Sequence, residues 1–226
     1  MSKKVLAVLL ILTFVFSLTG CNSNKSDDPE RVKQIALDYL HENYPDDNFT
    51  ALGYSEESWA YDYKTINFQS EKYSDYFEVR LYDEDSESEY IMEDEYFKLA
   101  MKEDAEKYFT SIASKYYDKV EVKVEFSSLE LPEEISKSTD FSEYVDSEKC
   151  YMEVYFISDL DLIETDINSL LSDIKDRKIE GHFKFLLTTD EDLLKNYSMS
   201  EIVNEKWDSV MEENRYYIKD SKITKQ

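Results

Sequence analysis

The sequence predicts an α+β fold in which a mainly antiparallel sheet packs against about four helices. Short segments alternate apolar and charged residues, as between Val120 and Phe126, which is typical of half-buried antiparallel strands. Longer segments repeat apolar residues every three or four positions, which is typical of helices. The 226 residues also include 19 Tyr and 12 Phe. Disordered acidic chains are poor in aromatic residues, so this composition indicates a folded body.

The first predicted helix begins after Asp28, which suits the N-cap position and precedes Pro29 at the first helical position. Pro45 marks its end. Its apolar stripe consists of Val32, Ile35, Ala36, Tyr39 and Leu40. Three predicted strands follow, at residues 49–54, 58–68 and 75–82.

A long helix is predicted over residues 94–117, because apolar residues recur there at helical spacing. These residues are Phe97, Met101, Ala105, Tyr108, Ile112 and Tyr116. A predicted strand at 120–126 leads into a connection of 23 residues, 127–149. Within it, the apolar side chains of Phe141, Tyr144 and Val145 indicate a short amphipathic helix that either covers the core or presents a contact surface.

The remaining predicted elements are a strand at 150–157, a helix at 162–176, a strand at 179–187 and a final helix. The final helix is predicted from the capping box that Ser198 and Glu201 would form. Its inward-facing residues would be Val203, Trp207, Val210 and Met211. The preceding helix and strand would bury Ile163, Ile167, Leu170, Leu171, Ile174, Ile179, Phe183, Phe185 and Leu187.

The body divides in sequence into an N-terminal α+β lobe, 29–118, and a C-terminal α+β lobe, 119–226, unless the two halves form one single domain. A short echo relates them, since similar strand sequences at 76–79 and 151–154 each come after a Glu-Lys pair. It indicates either a duplicated unit or a coincidence of composition, and coincidence is the favoured interpretation. The order of a helix followed by strands is similar to that of small cystatin-like domains of bacterial surface proteins.

The first 20 residues have the features of a leader peptide. Lys3 and Lys4 precede an uncharged run of thirteen residues, 5–17, which is too short to span a bilayer core of about 30 Å. The run is followed by Leu18-Thr19-Gly20-Cys21, a tetrad that resembles the lipobox of bacterial lipoproteins. An ordinary secretory signal with a chance cysteine is the alternative.

The resemblance implies that residues 1–20 are removed and that the sulfur of Cys21 carries a diacylglyceryl group. The protein would then be held at the extracytoplasmic face of the cell membrane through a flexible tether, 21–28. Stable anchoring requires more than one acyl chain, which this modification supplies. The preference for lysine over arginine favours a single-membrane host with an AT-rich genome.

Charge excludes one class of partner. Without the two lysines of the leader, the chain has 24 basic and 51 acidic side chains and a net charge of −27. Such a charge repels phosphate backbones, so nucleic acid is excluded as a partner.

Lipidation of Cys21 would also leave Cys150 without a disulfide partner. Cys150 opens an apolar strand and is predicted to be a buried, unreactive thiol.

The densest acidic stretch contains a candidate cation site. Asp83, Asp85 and Glu87 occupy positions 1, 3 and 5 of a calcium loop, and Asp94 falls at position 12. Position 6 is Ser88, where such loops need glycine. A solvated acidic turn is therefore the favoured interpretation, with weak divalent-cation binding as the alternative.

Aromatic residues form the other candidate site. Trp59, Tyr61 and Tyr63 alternate on one predicted strand, and Tyr76 and Tyr82 face away from the predicted core. Exposed aromatic rings can stack on sugars or anchor a protein partner. The alternative is that tyrosine fills a solvated sheet face without a binding role.

The sequence contains no recognisable catalytic constellation. It has no zinc-ligand spacing, nucleophile elbow or phosphate-binding glycine loop. The prediction is therefore a non-enzymatic binding module of the cell envelope that uses no cofactor. Its partner would be an envelope protein, with a divalent cation or a cell-wall glycan as alternatives. A carboxylate-dependent hydrolase is the remaining alternative, because 51 acidic residues make some suitable pair inevitable.

Overall fold

The computed structural model of the protein describes residues 28–56, 60–83, 90–126, 131, 135, 139–147, 150–159, 164–190 and 198–226. The predicted leader and Cys21 lie outside the described residues. The elements of the first half are α1 (Pro29–Asn43), β1 (Phe49–Ser55), β2 (Tyr63–Ser70), β3 (Tyr76–Asp83) and β4 (Tyr90–Asp94). Those of the second half are α2 (Tyr96–Ala113), β5 (Glu121–Phe126), α3 (Phe141–Val145), β6 (Met152–Ser158), α4 (Glu164–Asp176), β7 (Gly181–Thr188), α5 (Met199–Glu201), β8 (Val210–Lys219) and β9 (Lys222–Lys225).

The first four strands form an antiparallel meander in the order β1-β2-β3-β4. α1 covers one face of this sheet, where alternate strand residues such as Ile66, Phe68 and Val79 are fully buried. We call this cluster the first core. As predicted, Asp28 caps α1, since its carboxylate accepts a hydrogen bond from the backbone N–H of Glu30 (3.2 Å).

The other strands form a second sheet in the order β5-β6-β7-β8-β9, and the predicted α+β class is confirmed. This sheet is antiparallel except for β6 and β7, whose parallel pairing requires the crossover that α4 supplies. Side chains of α2, α3 and α4 pack on its inner face, and we call this cluster the second core. Phe141 and Tyr144 of α3 are buried in it, so α3 covers the core.

Part of the outer face of the second sheet is also covered. Tyr155, Ile157 and Leu186 lie on that face and are buried. They pack against Met199 and Ile202 of the C-terminal helical segment. Both faces of this sheet are therefore used for packing.

The prediction of a final helix is wrong beyond the first turns of that segment. Ser198 and Glu201 form the predicted capping box, but after a π-helical turn and a 3-10 turn the helical segment ends at Ser209. Val203 and Met211, which were expected to face inward, are 50% and 66% exposed. The chain continues as β8, which pairs with β7 and then with β9. Cross-strand pairing overrides the helical periodicity of this stretch.

The start of the long helix also differs from the prediction. β4 has no clear alternation, and its pairing with β3 defines it instead. α2 consequently begins at Tyr96, two residues later than predicted. Its buried stripe includes Phe109, while Tyr108 lies half-buried at the edge of the stripe. Ile163, predicted to belong to the next helix, lies outside the described residues.

Two consecutive residues at the start of α2 belong to different cores. Tyr96 packs into the first core, where the centroid of its ring lies 4.4 Å from that of Tyr44. Phe97 packs into the second core, where its ring centroid lies 5.9 Å from that of Phe126. The rest of the helix packs on the second sheet, so the cores divide at the start of α2 rather than after residue 118.

The two segments of the internal echo lie in non-equivalent strands. Residues 76–79 belong to β3, the third strand of the meander. Residues 151–154 lie at the start of β6, which has a parallel neighbour. The topology therefore favours coincidence over duplication.

Gly181 and Gly53 provide a matched test of the β6–β7 packing. Gly181 has a φ of +148°, and a Cβ there would lie 2.4 Å from the carbonyl oxygen of Met152. A Cβ on Gly53 would lie 3.7 Å from the side-chain amide of Asn67, which is ordinary contact. We expect Gly181→Ala to lower the free energy of unfolding by about 2 kcal/mol or more, and Gly53→Ala to change it by less than about 1 kcal/mol. Urea titrations followed by circular dichroism measure both, and equal effects would contradict the close approach at Gly181.

Candidate functional site

The outer face of the first sheet, opposite α1, carries a row of aromatic rings. Tyr61 lies just before β2 and Tyr63 begins it, and their ring centroids are 5.4 Å apart. Tyr82 of β3 is the cross-strand partner of Tyr63, with ring centroids 5.3 Å apart. Ile91 of β4 is in turn the cross-strand partner of Tyr82. We call Tyr61, Tyr63 and Tyr82 the tyrosine row.

Strand alternation explains why these rings face outward. Leu81 is fully buried in the first core, so the adjacent Tyr82 lies on the opposite face. Tyr61 is 58% exposed and Ile91 is 54% exposed, while Tyr63 and Tyr82 are half-buried. The four side chains form one apolar surface that crosses three strands.

Arg80 and Glu93 hold the row in place. The guanidinium of Arg80 lies 5.2 Å from the ring centroid of Tyr63 and binds the carboxylate of Glu78 (2.7 Å). Burial alone would lower the pKa of Arg80, but Glu78 and other negative neighbours raise it above its usual value. The hydroxyl of Tyr82 donates a hydrogen bond to Glu93 (3.0 Å). The row therefore already holds one cation against an aromatic ring.

The structure brings together two of the three predicted aromatic residues. Tyr61 and Tyr63 are neighbours on one face, and Trp59 lies outside the described residues. Tyr76 is 59% exposed on the same face. It lies about 20 Å from Tyr82 along β3. Sequence reasoning missed Ile91, because the strand that carries it has no clear alternation.

Two of the predicted calcium-loop residues make other interactions. Asp83 binds the buried ammonium of Lys64 (2.6 Å), and Asp94 lies among tyrosines beside the first core. Asp85 and Glu87 lie outside the described residues. Within the part of the chain that the structure describes, no group of three or more His, Cys, Asp or Glu side chains is placed to hold a metal ion.

Asp94 links α1 to the start of α2. Its carboxylate accepts hydrogen bonds from the hydroxyls of Tyr39 (2.8 Å) and Tyr44 (3.0 Å) and from the backbone N–H of Tyr96 (3.0 Å). Burial raises the pKa of the Asp94 carboxyl, and these hydrogen bonds only partly oppose the shift. Burial and the nearby Asp94 also raise the pKa values of Tyr39 and Tyr44, so both hydroxyls keep their protons and act as donors.

Asp47 is a buried carboxylate whose partners are all within the protein. It accepts hydrogen bonds from the hydroxyls of Ser70 and Tyr96 and from the backbone N–H of Lys72 and Asn48. Burial alone would raise the pKa of Asp47, but these hydrogen bonds hold it below its usual value. Asp47 therefore remains ionised and joins the loop after α1 to β2 and to α2.

A groove of about 180 Å³ lies where β3, α2 and β5 meet. Its lining includes Tyr76, Phe77, Glu95, Lys98, Leu99, Lys102, Glu125 and Phe126. The lysines of the groove are paired, Lys98 with Glu95 (2.8 Å) and Lys102 with Glu125 (3.6 Å). Burial raises the pKa of Asp94 and of Glu106, but neither residue lines the groove. The groove thus joins an exposed aromatic ring to paired charges.

Lys184 and Glu153 form an ion pair on the outer face of the second sheet. The ammonium of Lys184 lies 2.7 Å from Glu153 and 3.0 Å from the hydroxyl of Tyr155. Burial favours the neutral form of each, but their contact raises the pKa of Lys184 and lowers that of Glu153. Both are ionised at neutral pH, so neither is a neutral amine nucleophile or a protonated acid.

The predicted buried thiol is confirmed. Cys150 is free and buried just before β6. Burial raises the pKa of its thiol to about 12. Nucleophilic attack requires the thiolate, so this cysteine is chemically inert in the folded protein.

Comparison with protein families, with curated proteins and with solved structures found no match to this chain. None of the described helices is both long and apolar enough to cross a membrane. Function is therefore inferred from the geometry of the tyrosine row and the groove.

Asp47→Asn tests the buried carboxylate. We expect it to lower the free energy of unfolding at neutral pH by about 2 kcal/mol, because a neutral amide cannot accept the same charge-assisted hydrogen bonds. The pKa of Asp47 is lower in the folded state, so the loss is constant above about pH 5 and narrows as the pH falls through the folded pKa. Urea titrations across this pH range measure it, with the exposed neighbour Asp46→Asn as control. A loss that grows on acidification would show that Asp47 is protonated in the folded state.

Proposed function

We propose that the protein is a lipid-anchored binding protein of the extracytoplasmic face of the cell membrane, and that its tyrosine row contacts another protein of the envelope. The observation that carries the proposal is the exposed apolar surface formed by the row and Ile91. Its centre is half-buried and its ends, Tyr61 and Ile91, are more than half exposed.

The row has the properties of a protein-binding surface. Tyrosine is enriched among the residues that contribute most to binding energy, because it offers a large apolar ring with a polar tip. Cross-strand packing, Arg80 and Glu93 already restrict the rings of Tyr63 and Tyr82. Little side-chain freedom is therefore lost when a partner binds.

The proposed anchor leaves this surface accessible. The tether at 21–28 leads directly into α1, which packs on the opposite face of the first sheet. Seven residues from Asn22 to Asp28 reach at most about 23 Å, so the body stays close to the membrane. The tyrosine row lies on the side of the sheet away from α1, where an envelope protein can approach it.

Glycan binding in the groove is a second candidate. Tyr76 is 59% exposed at its wall, and aromatic rings stack on sugar faces. The paired charges of Lys98, Glu95, Lys102 and Glu125 offer hydrogen-bond donors and acceptors to hydroxyl groups.

Cys21→Ala tests the anchor. We expect this change to leave an unprocessed precursor or to release the protein, because the thiol that accepts the lipid is gone. Mass spectrometry and membrane fractionation of cells that express the full chain measure the result. Cys150→Ala is the matched control and should keep the lipid. An unchanged mature mass and membrane fraction in Cys21→Ala would contradict the lipobox assignment.

Photo-crosslinking at single positions tests the binding surface. A photoreactive amino acid replaces Tyr61 in one full-length variant and Tyr76, equally exposed on the same sheet face, in another. On intact cells we expect the Tyr61 variant to form a discrete adduct with a protein, and the Tyr76 variant to form none. Adducts only at Tyr76 would favour the groove, and adducts at neither position would contradict the proposed function.

A further inference from the structure

The charge of the chain restricts the partner that the tyrosine row can bind. The mature chain carries a net charge of −27. A surface of this charge repels acidic partners and increases the rate of encounter with basic ones. Complementary charge thus favours a basic partner before any specific contact forms.

Negative charge is also local to the row. Asp62 follows Tyr61 in the sequence and is exposed, Glu93 accepts the hydrogen bond from Tyr82, and Glu78 lies beside Arg80 on β3. Nearby cations are already bound to carboxylates: Arg80 to Glu78, and the buried Lys64 to Asp83.

Aromatic rings beside carboxylates suit the side chains of Arg and Lys. A guanidinium or ammonium over a tyrosine ring gains from the negative face of the ring, and nearby carboxylates add charge-assisted contacts. Arg80 shows this arrangement within the protein, with its guanidinium 5.2 Å from the ring centroid of Tyr63 and ion pairs to Glu78 (2.7 Å) and Glu95 (3.8 Å). Tyr61, which is 58% exposed, offers a further ring to an external cation.

We infer that the tyrosine row binds an Arg- or Lys-rich segment of its partner protein, with a basic side chain of that segment over the ring of Tyr61. This inference rests on the proposed function, since it states the chemistry of the partner segment at the same surface. Apolar parts of the segment would pack on Tyr82 and Ile91, and Glu93 would offer its carboxylate to a basic side chain of the segment.

A defined peptide tests the inference without knowledge of the natural partner. The full chain is purified in a non-ionic detergent and titrated with a fluorescent peptide of alternating arginine and serine. A second peptide replaces each arginine by citrulline, which has nearly the same shape but no charge. The protein variants are Tyr61→Leu, which removes the ring, Tyr61→Phe, which keeps it, and Tyr76→Leu as the matched control.

We expect the arginine peptide to bind and the citrulline peptide to bind at least tenfold more weakly, in accord with the loss of charge. Tyr61→Leu should weaken binding of the arginine peptide by about threefold or more, and Tyr61→Phe should retain it. Tyr76→Leu should bind as the unaltered chain does. Equal binding by the Tyr61→Leu variant and the unaltered chain would overturn the inference, because attraction would then arise from net charge alone. Equal binding of the two peptides, or no binding of either, would also overturn it.

The crosslinking experiment on cells tests the proposed function separately from the peptide titration. If the adduct formed at Tyr61 on cells contains a partner segment without Arg or Lys, the inference fails and the proposed function stands. If no adduct forms at Tyr61, the proposed function fails whatever the peptides do.

Discussion

Tyr96 and Phe97 stand side by side at the start of α2, and each is buried in a different core. Consecutive residues of a helix point about 100° apart, so one helical start can serve two packing surfaces. The hydroxyl of Tyr96 donates to the buried Asp47 (3.0 Å) and its backbone N–H donates to the partly buried Asp94 (3.0 Å), so two carboxylates of the first half converge on this residue. The junction therefore joins the two sheets by packing and by hydrogen bonds together.

The two sheets differ in how many of their faces are covered by packed side chains. The second sheet packs helices on its inner face and the C-terminal helical segment on part of its outer face. Among the residues that the structure describes, the first sheet packs only one face, against α1 and Tyr96. Four of the seven exposed large apolar side chains of the described residues lie in or beside the first sheet: Leu52, Tyr61, Tyr76 and Ile91. The open face is thus also where apolar surface is exposed, which is why it is the proposed binding surface.

The fold class, most of the elements and the cap of α1 could be predicted, because each is encoded by local spacing. β8 could not, since the capping box at Ser198 and the helical spacing that follows favour a helix, and only pairing with β7 makes the later residues a strand. The contacts of Asp94 with Tyr39 and Tyr44 join residues 50 or more positions apart, and no local pattern encodes them. The alternation of aromatic residues was enough to predict that Tyr61 and Tyr63 share one face. That Ile91 lies on the same surface depends on the pairing of β3 with β4, which the sequence does not show.

We propose that the tyrosine row on the outer face of the first sheet is covered by a partner on the cell and is open in the isolated protein. Oxidative footprinting compares the two states directly, because Tyr61 and Tyr76 are almost equally exposed, at 58% and 59%. In the purified chain both tyrosines should react at similar rates. On intact cells we expect Tyr61 to be protected and Tyr76 to react as before. Protection of Tyr76 alone, or equal reactivity of both tyrosines in both states, would contradict it.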